Sequence, residues 1–402
     1  MGAATYDTVA DFTDTPWALT PEHLTWRDSM RRFCQEVVGP GAACRSATGR
    51  MDLGLVGSIA ELGVFSLALP DPHGAGDLRS LCIAVEELAA VDSSLAVTAH
   101  VQAMNTAMFE LFTRGRPDLR EPLLSEAVRG DALLAFGLTE PSGGSDAANI
   151  STRAERDGDM WIIHGTKEFI TNSGTPLSRA ILLFAKTGDG PTNGRPRVSL
   201  FLVPANSDGL TVGPAYDKLG WRAADTHPLF FDGVRVPASA MIGEEGTGLR
   251  RALHGLTFAR IPIAAMALGL ARACLSDTVV FGRSRRSFGS LLSEHQAYAF
   301  KLADLAAEVA VVRAAVYDAA WKHDHEMNIE REAAIVKLTA SEMANRVAYA
   351  ATQLHGGHGF VFDTAVTRHF ADARILTIGD GTSEIQRLLI ARHLGLGAPH
   401  AT

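Results

Sequence analysis

Asp380 sits between Gly379 and Gly381 and is followed by Thr382, Ser383 and Glu384. A carboxylate with so little bulk beside it lets a substrate atom come close enough to surrender a proton. The same segment also fits an ordinary turn entering a helix, with Thr382 as N-cap and Glu384 to Gln386 in the first turn. A second candidate is Thr139-Glu140-Pro141-Ser142-Gly143-Gly144-Ser145-Asp146. Its paired glycines leave backbone N–H groups free for an anion, although a plain surface turn reads the same way. In Lys167-Glu168-Phe169-Ile170-Thr171-Asn172-Ser173-Gly174, an aromatic two residues before a threonine could lay a flat face against a ring; a hairpin end with a core phenylalanine is the alternative. Arg285-Arg286-Ser287-Phe288-Gly289 with His295-Gln296 reads as a basic loop and a helix start. Gln353-Leu354-His355-Gly356-Gly357-His358 contains two histidines, but neither HExxH nor another ligand spacing, so no metal site is expected. A GxGxxG loop is absent, which argues against a Rossmann dinucleotide domain.

These segments need elements to hold them. From about residue 20 to 130 the chain reads helical, with Thr20 as an N-cap before Pro21 and a nearly uncharged stretch from Ser93 to Leu111 that suggests a buried helix. Leu69-Pro70-Asp71-Pro72-His73-Gly74 marks a loop. Between about 134 and 242, short apolar runs (Trp161-Ile162-Ile163, Ala180 to Ala185, Val198 to Val203) alternate with turn clusters such as Gly188 to Gly194. That texture predicts an antiparallel sandwich or barrel. Beyond about 246 the helical period returns: Leu302, Leu305, Val309, Val312 and Val316 form an apolar seam suited to a bundle, and Gly395 and Gly397 close the last helix.

The 402 residues exceed one ordinary domain, and 47% hydrophobic with 20% charged residues excludes disorder as the main state. A net charge of −8 argues against a nucleic-acid partner. Cys34, Cys44, Cys82 and Cys274 show no CxxC pair and read as reduced, mostly buried thiols. The longest largely apolar run, Ile261 to Ala271, is shorter than the roughly 18 residues of a membrane span. The N-terminus carries Asp7, Asp11 and Asp14 rather than a basic leader, and Tyr6 breaks the Met1-Gly2 myristoylation pattern. A cytoplasmic protein without a membrane partner is expected.

In this order and at these separations, TEPSGGSD, KEFITNSG, RRSFGSLLSEHQ, KLADLAAEV, QLHGGHGF and GDGTSEIQRLLIAR resemble the acyl-CoA dehydrogenase family of flavoproteins over nearly the whole chain. The resemblance implies an α+β fold: an N-terminal all-helical domain (1–133), a central antiparallel β-barrel-like domain (134–245) and a C-terminal four-helix bundle (246–402). It further implies FAD between the β domain and the bundle, completed by a neighbouring subunit of a homotetramer. The implied substrate is an acyl-CoA or acyl carrier protein thioester, and the implied electron acceptor is an electron-transferring flavoprotein. By motif position, Phe136, Leu138 and Thr139 would line the flavin, and Ser145 would lie at the cofactor and near the phosphopantetheine arm. Phe169 and Thr171 would stack on and hydrogen-bond the isoalloxazine. Arg285, Phe288, Gln296, Gln353, Gly356 and Gly357 would reach the FAD of the adjacent subunit. Thr382 and Glu384 would belong to the same rim, Gly381 would touch substrate, and Arg260 would lie near the CoA portion.

The implied reaction is α,β-desaturation, in which a carboxylate removes the α-proton while the β-hydrogen leaves as hydride to flavin N5. Most relatives place a Glu where this chain has Asp380, and a second subgroup places its Glu where this chain has Ala259. Asp380 is therefore the carboxylate at a known base position. Its arm is one methylene shorter, and a displacement of about 1 Å can cost roughly 100-fold in rate. The related nitroalkane oxidases use Asp there, so such an enzyme, or a catalytically silent relative, is the alternative.

Overall fold

The computed structural model describes residues 16–189 and 196–396. The N-terminal aspartates and Met1-Gly2, the Gly190–Gly194 part of the turn cluster, and Gly397 lie outside the described residues.

Among the described residues, six α-helices precede the first strand: α1 (Pro21–Phe33), α2 (Ala42–Thr48), α3 (Leu53–Glu61), α4 (Leu78–Ala89), α5 (Ser93–Phe112) and α6 (Pro117–Arg129). Thr20 caps α1 as expected, its hydroxyl accepting the His23 N–H. Asp77 and Asp92 cap α4 and α5, each carboxylate taking two backbone N–H groups that the first turn leaves unpaired. α5 is buried on nearly every side, which is why its sequence carries almost no charge.

The bundle comprises α7 (Gly248–Ser284), α8 (Gln296–Asp324), α9 (Glu330–His355), α10 (Ala365–Ala373) and α11 (Ser383–His393). Leu305, Val309, Val312 and Val316 are buried along α8, and Leu302 packs at the edge of the same core. α7 is long and apolar enough to cross a membrane, which the short uninterrupted run Ile261 to Ala271 did not suggest. Yet 83% of its most apolar window is packed inside the protein, as in a core helix. It crosses α4 so tightly that a Cβ on Gly269 would lie 2.0 Å from the Glu86 carbonyl oxygen. The crossing is pinned by charge: Glu86 accepts from Arg313 and from the Tyr317 hydroxyl of α8 (2.7 Å), while Glu87 pairs with Arg272 of α7 (2.7 Å) and Arg31 of α1 (3.1 Å).

Between these helical parts lie β1 (Leu133–Gly137), β2 (Arg153–Asp157), β3 (Met160–Thr171), β4 (Ser178–Asp189), β5 (Pro196–Pro204), β6 (Leu210–Val212), β7 (Thr226–Pro237) and β8 (Met241–Ile242). They form one sheet in the order β6-β7-β3-β2-β4-β5-β8, with β1 on β4. Most pairings are antiparallel, but β1 joins β4 in parallel, and β2 touches β4 in parallel at Arg153↔Lys186. β1 departs from a simple meander because a long loop and the β2–β3 hairpin separate it from β4, leaving no tight turn to reverse its direction. The continuous apolar run in β4 has a physical cause. Leu182 and Phe184 face the helical core while Ile181, Leu183 and Ala185 face a second core inside the sheet. A short hairpin, β9 (Arg286–Ser287) and β10 (Ser290–Leu291), joins α7 to α8.

Candidate active site

Asp380 precedes α11 in a left-handed backbone conformation, φ +53°. Short polar residues tolerate that region best, and strain of this kind collects at functional sites. Thr382 caps α11 as expected, its hydroxyl accepting the Ile385 N–H at 3.3 Å. Gly381 follows at φ +88°, and a Cβ there would meet Gln386 Nε2 at 2.8 Å, so glycine is required. Its carbonyl accepts two hydrogen bonds, from Lys337 Nζ on α9 (2.6 Å) and Gln386 Nε2 (2.9 Å). The backbone that carries Asp380 is therefore tethered from two sides.

The carboxylate itself meets α5. His100 Nε2 lies 3.2 Å from Asp380 Oδ2. An ionised carboxylate only accepts, so Nε2 carries the proton and donates it. Arg260, on α7, is 6% exposed and its charge acts on Asp380; its Nε has no hydrogen-bond partner. Burial pushes the Asp380 carboxyl up, but the His100 hydrogen bond and the charges of His100, Lys337 and Arg260 outweigh it and hold Asp380 below its ordinary value. Burial drives Lys337 down to about 8, opposed by Asp380. An ionised carboxylate at neutral pH, half-buried among cations, is chemically able to take a proton.

Arg260 lies inside the protein beside Asp380, at the start of the stretch where α7 is buried continuously from Ala259 onward. Ala259 beside it is buried and carries no carboxylate. His100 and Lys337 were not singled out by sequence reasoning. Lys337 offered a signal, a single charge within the apolar run Ala333 to Leu338, which is uncommon unless a partner awaits it, whereas His100 stood among other polar residues of α5 such as Thr98, Gln102 and Asn105.

A second group lies on the sheet. β3 gains one extra residue against β7 between Lys167↔Leu229 and Ile170↔His227. That bulge re-aims Phe169 outward at φ +60°, leaving it 60% exposed with Tyr216 at 4.9 Å between ring centroids. Phe169 is thus not a core residue. The Glu168 N–H donates to the Thr139 carbonyl at 3.0 Å, which brings the Thr139 and Phe169–Thr171 segments together. Phe136 is half-buried against Phe184, and Leu138 packs in the core. Ser145 is exposed in the loop beyond. Asn172 Nδ2 donates to the Thr98 carbonyl of α5 at 3.5 Å, two residues from His100, so this group and Asp380 share one wall.

A third group is remote within the chain. Arg285, Phe288, Gln296, Gln353, Gly356 and Gly357 are all exposed at one end of the bundle, where Phe281 stacks on His355. From Arg260 to Ser284, α7 alone spans roughly 36 Å, so a single subunit does not bring this group to Asp380. Phe288 is 98% exposed at φ +50°. Glu384 is exposed too, paired with Arg387 at 3.4 Å. Of six non-glycine residues with positive φ among the described residues, Phe169, Asn172, Phe288 and Asp380 fall in these motif segments, so local strain concentrates where chemistry was expected.

Comparison with known proteins decides the family. The acyl-CoA dehydrogenase N-terminal, middle and C-terminal domain families match residues 20–131, 135–234 and 246–395. The chain belongs to the acyl-CoA dehydrogenase family. It is similar to the mitochondrial short-chain specific acyl-CoA dehydrogenase of Bos taurus, 37% identical over 94% of this chain and 90% of that one. Among solved structures, the butyryl-CoA dehydrogenase of Megasphaera elsdenii is 34% identical over 94% of this chain and 99% of that chain, with a TM-score of 0.89. A glutaryl-CoA dehydrogenase of Mycobacterium smegmatis, in complex with FADH2, is 31% identical over 96% and 98%, with a TM-score of 0.89.

This acyl-CoA dehydrogenase is accordingly an oxidoreductase of the CH–CH group with FAD as its cofactor. The residues present fit that group. The exposed Phe169 ring offers a flat face, and two buried polar atoms near it, Tyr216 Oη and Asn172 Oδ1, have no hydrogen-bond partner among the described residues. Buried polar atoms without partners are rare in a finished site and mark where a polar ligand completes it.

Proposed function

We propose that the chain desaturates a short acyl-CoA, with Asp380 as the base that removes the α-proton. The observation carrying this reading is the state of the Asp380 carboxylate: half-buried and held below its ordinary value, with Oδ2 bonded to His100 and Oδ1 taking no hydrogen bond among the described residues. A general base of this kind contributes about 10²–10⁴-fold. Thr139, Phe169 and Thr171 would hold the flavin in one subunit. Arg285, Phe288, Gln296, Gln353, Gly356 and Gly357 would contact it from the neighbour. FAD, when bound, supplies the acceptor for the β-hydrogen, which departs as hydride to N5.

The chain's own residues do the rest. Lys337 and Gln386 fix the Gly381 carbonyl and hence the Asp380 backbone. Arg260 and Lys337 keep the waiting base ionised. A short acyl chain is supported by the relatives named above. A homotetramer is supported by the bare aromatics of the bundle: Phe288, Phe360 and Phe362 are 98%, 88% and 65% exposed, a surface that needs a cover. Electron-transferring flavoprotein is the acceptor we assign, by the same membership.

Anaerobic mixing of the yellow holoenzyme with butyryl-CoA tests the reading: the visible flavin absorbance should bleach. No bleaching with butyryl-CoA, or with longer, branched and carrier-bound acyl groups, would leave the silent relative as the better account. Bleaching by a nitroalkane, with peroxide formed in air, would point to the oxidase.

A further inference from the structure

We propose that His100 is the positioning residue for the Asp380 base: its Nε2–H grips Oδ2 and leaves Oδ1 as the oxygen that receives the substrate proton. The inference rests on the assignment of Asp380 as base and adds the question of what aims it.

Three observations carry it. His100 is 2% exposed on a helix buried on nearly every side, and an imidazole in such a place is costly unless it is bonded. Its bond is to Asp380 Oδ2, since Nδ1 has no partner, so the ring serves that carboxylate alone. The Asp380 backbone is already fixed through the Gly381 carbonyl. What remains free is the side-chain torsion of Asp380, and a donor arriving from α5, 280 residues away in sequence, sets it.

The other charged groups facing Asp380 do not do this. Arg260 from α7 and Lys337 from α9 act on it through charge, while the Lys337 hydrogen bond goes to Gly381. Glu342 and Glu384 act in turn on Lys337. The shorter arm of aspartate matters here. It keeps the carboxylate near the backbone, where α5 can reach it, and a misplacement of about 1 Å is worth roughly 100-fold. In the step itself the proton passes from the substrate carbon to Oδ1, neutralising the carboxylate whose other oxygen His100 holds.

The test compares His100→Leu and His100→Gln holoenzymes with wild type in anaerobic flavin reduction by butyryl-CoA across pH. Leu removes the donor; Gln keeps a neutral N–H near the Nε2 position. His100→Leu should reduce about 10- to 100-fold more slowly at saturating substrate. Its acidic limb should move to higher pH, because the hydrogen bond that lowers the Asp380 carboxyl is gone. His100→Gln should recover most of the rate. The infrared band of the Asp380 carboxylate, assigned by its loss in Asp380→Asn, should titrate at higher pH in His100→Leu whatever the rate. A His100→Leu enzyme with wild-type rate and titration, beside an inactive Asp380→Asn, overturns the positioning role alone. A Gln variant as slow as Leu, both with full flavin, overturns it too. An Asp380→Asn enzyme that reduces at the wild-type rate removes the base assignment instead.

Discussion

Two carboxylates of this protein, one buried and one half-buried, meet cations in opposite ways. Glu140, on the loop after β1, pairs with Lys167 of β3 at 2.7 Å, and Lys167 Nζ also donates to the Leu138 carbonyl. Glu140 additionally accepts the Thr152 and Ser151 N–H groups, so both its oxygens are occupied and the pair is closed to solvent. Among the described residues, Asp380 has one oxygen bonded and one open, and around it Arg260 Nε, His100 Nδ1 and Gln386 Oε1 have no partners. The first arrangement anchors a loop; the second keeps hydrogen-bonding capacity in reserve. A saturated ion pair makes structure, and an unsaturated one is ready for a ligand.

The largest expected effect breaks the comparison at its open end. Asp380→Asn should lower flavin reduction by acyl-CoA about 10³-fold while leaving flavin content intact, because the amide cannot accept the proton. Stopped-flow absorbance checks it, and a wild-type rate would refute the assignment. At the closed end, Lys167→Met should destabilise the fold by about 3–5 kcal/mol in denaturant titration, since Glu140 is left buried and unpaired. The double change with Glu140→Gln should recover a large part of that loss.

Asp380→Glu should slow reduction by about 10- to 100-fold, since the longer arm carries the carboxylate past the His100 donor. A faster enzyme would show that the site is built for the longer side chain. Acidification separates the two carboxylates next. Burial alone would raise Glu140, but the charge and hydrogen bond of Lys167, with those from Thr152 and Ser151, hold it below its ordinary 4.5. Because the folded value is the lower one, Glu140 contributes stability above about 4.5 that is lost as pH falls through that folded value. Lys167→Met should flatten this loss in chemical denaturation. The smallest effect is expected from Thr382→Ala, about 1 kcal/mol of stability from the missing cap on α11.

How much could be read in advance differs between these regions. The caps at Thr20 and Thr382, the buried α5 and the seam from Leu305 to Val316 were legible, because capping and periodicity are local properties of the chain. The parallel β1–β4 pairing was not, since strand partners far apart in sequence leave no short-range pattern. Phe169 was recognisable as an aromatic of interest, but its exposure depends on a bulge defined only against β7. Arg260 was picked out, but its burial beside Asp380 was not legible, because a charge count does not tell which face of α7 is buried.

By itself the sequence determined the order of helical, β and helical domains and the motifs that mark the family, among them the segment whose carboxylate, Asp380, is proposed as the base. Those follow from side-chain type and short-range spacing, which the chain carries wherever it folds. The tertiary structure decided what surrounds that carboxylate: His100 from α5, Arg260 from α7 and Lys337 from α9, gathered from positions up to 280 residues apart. Hydrogen bonding and burial act through space, so an ionised, half-tethered Asp380 exists only once the N-terminal helices have packed against the bundle.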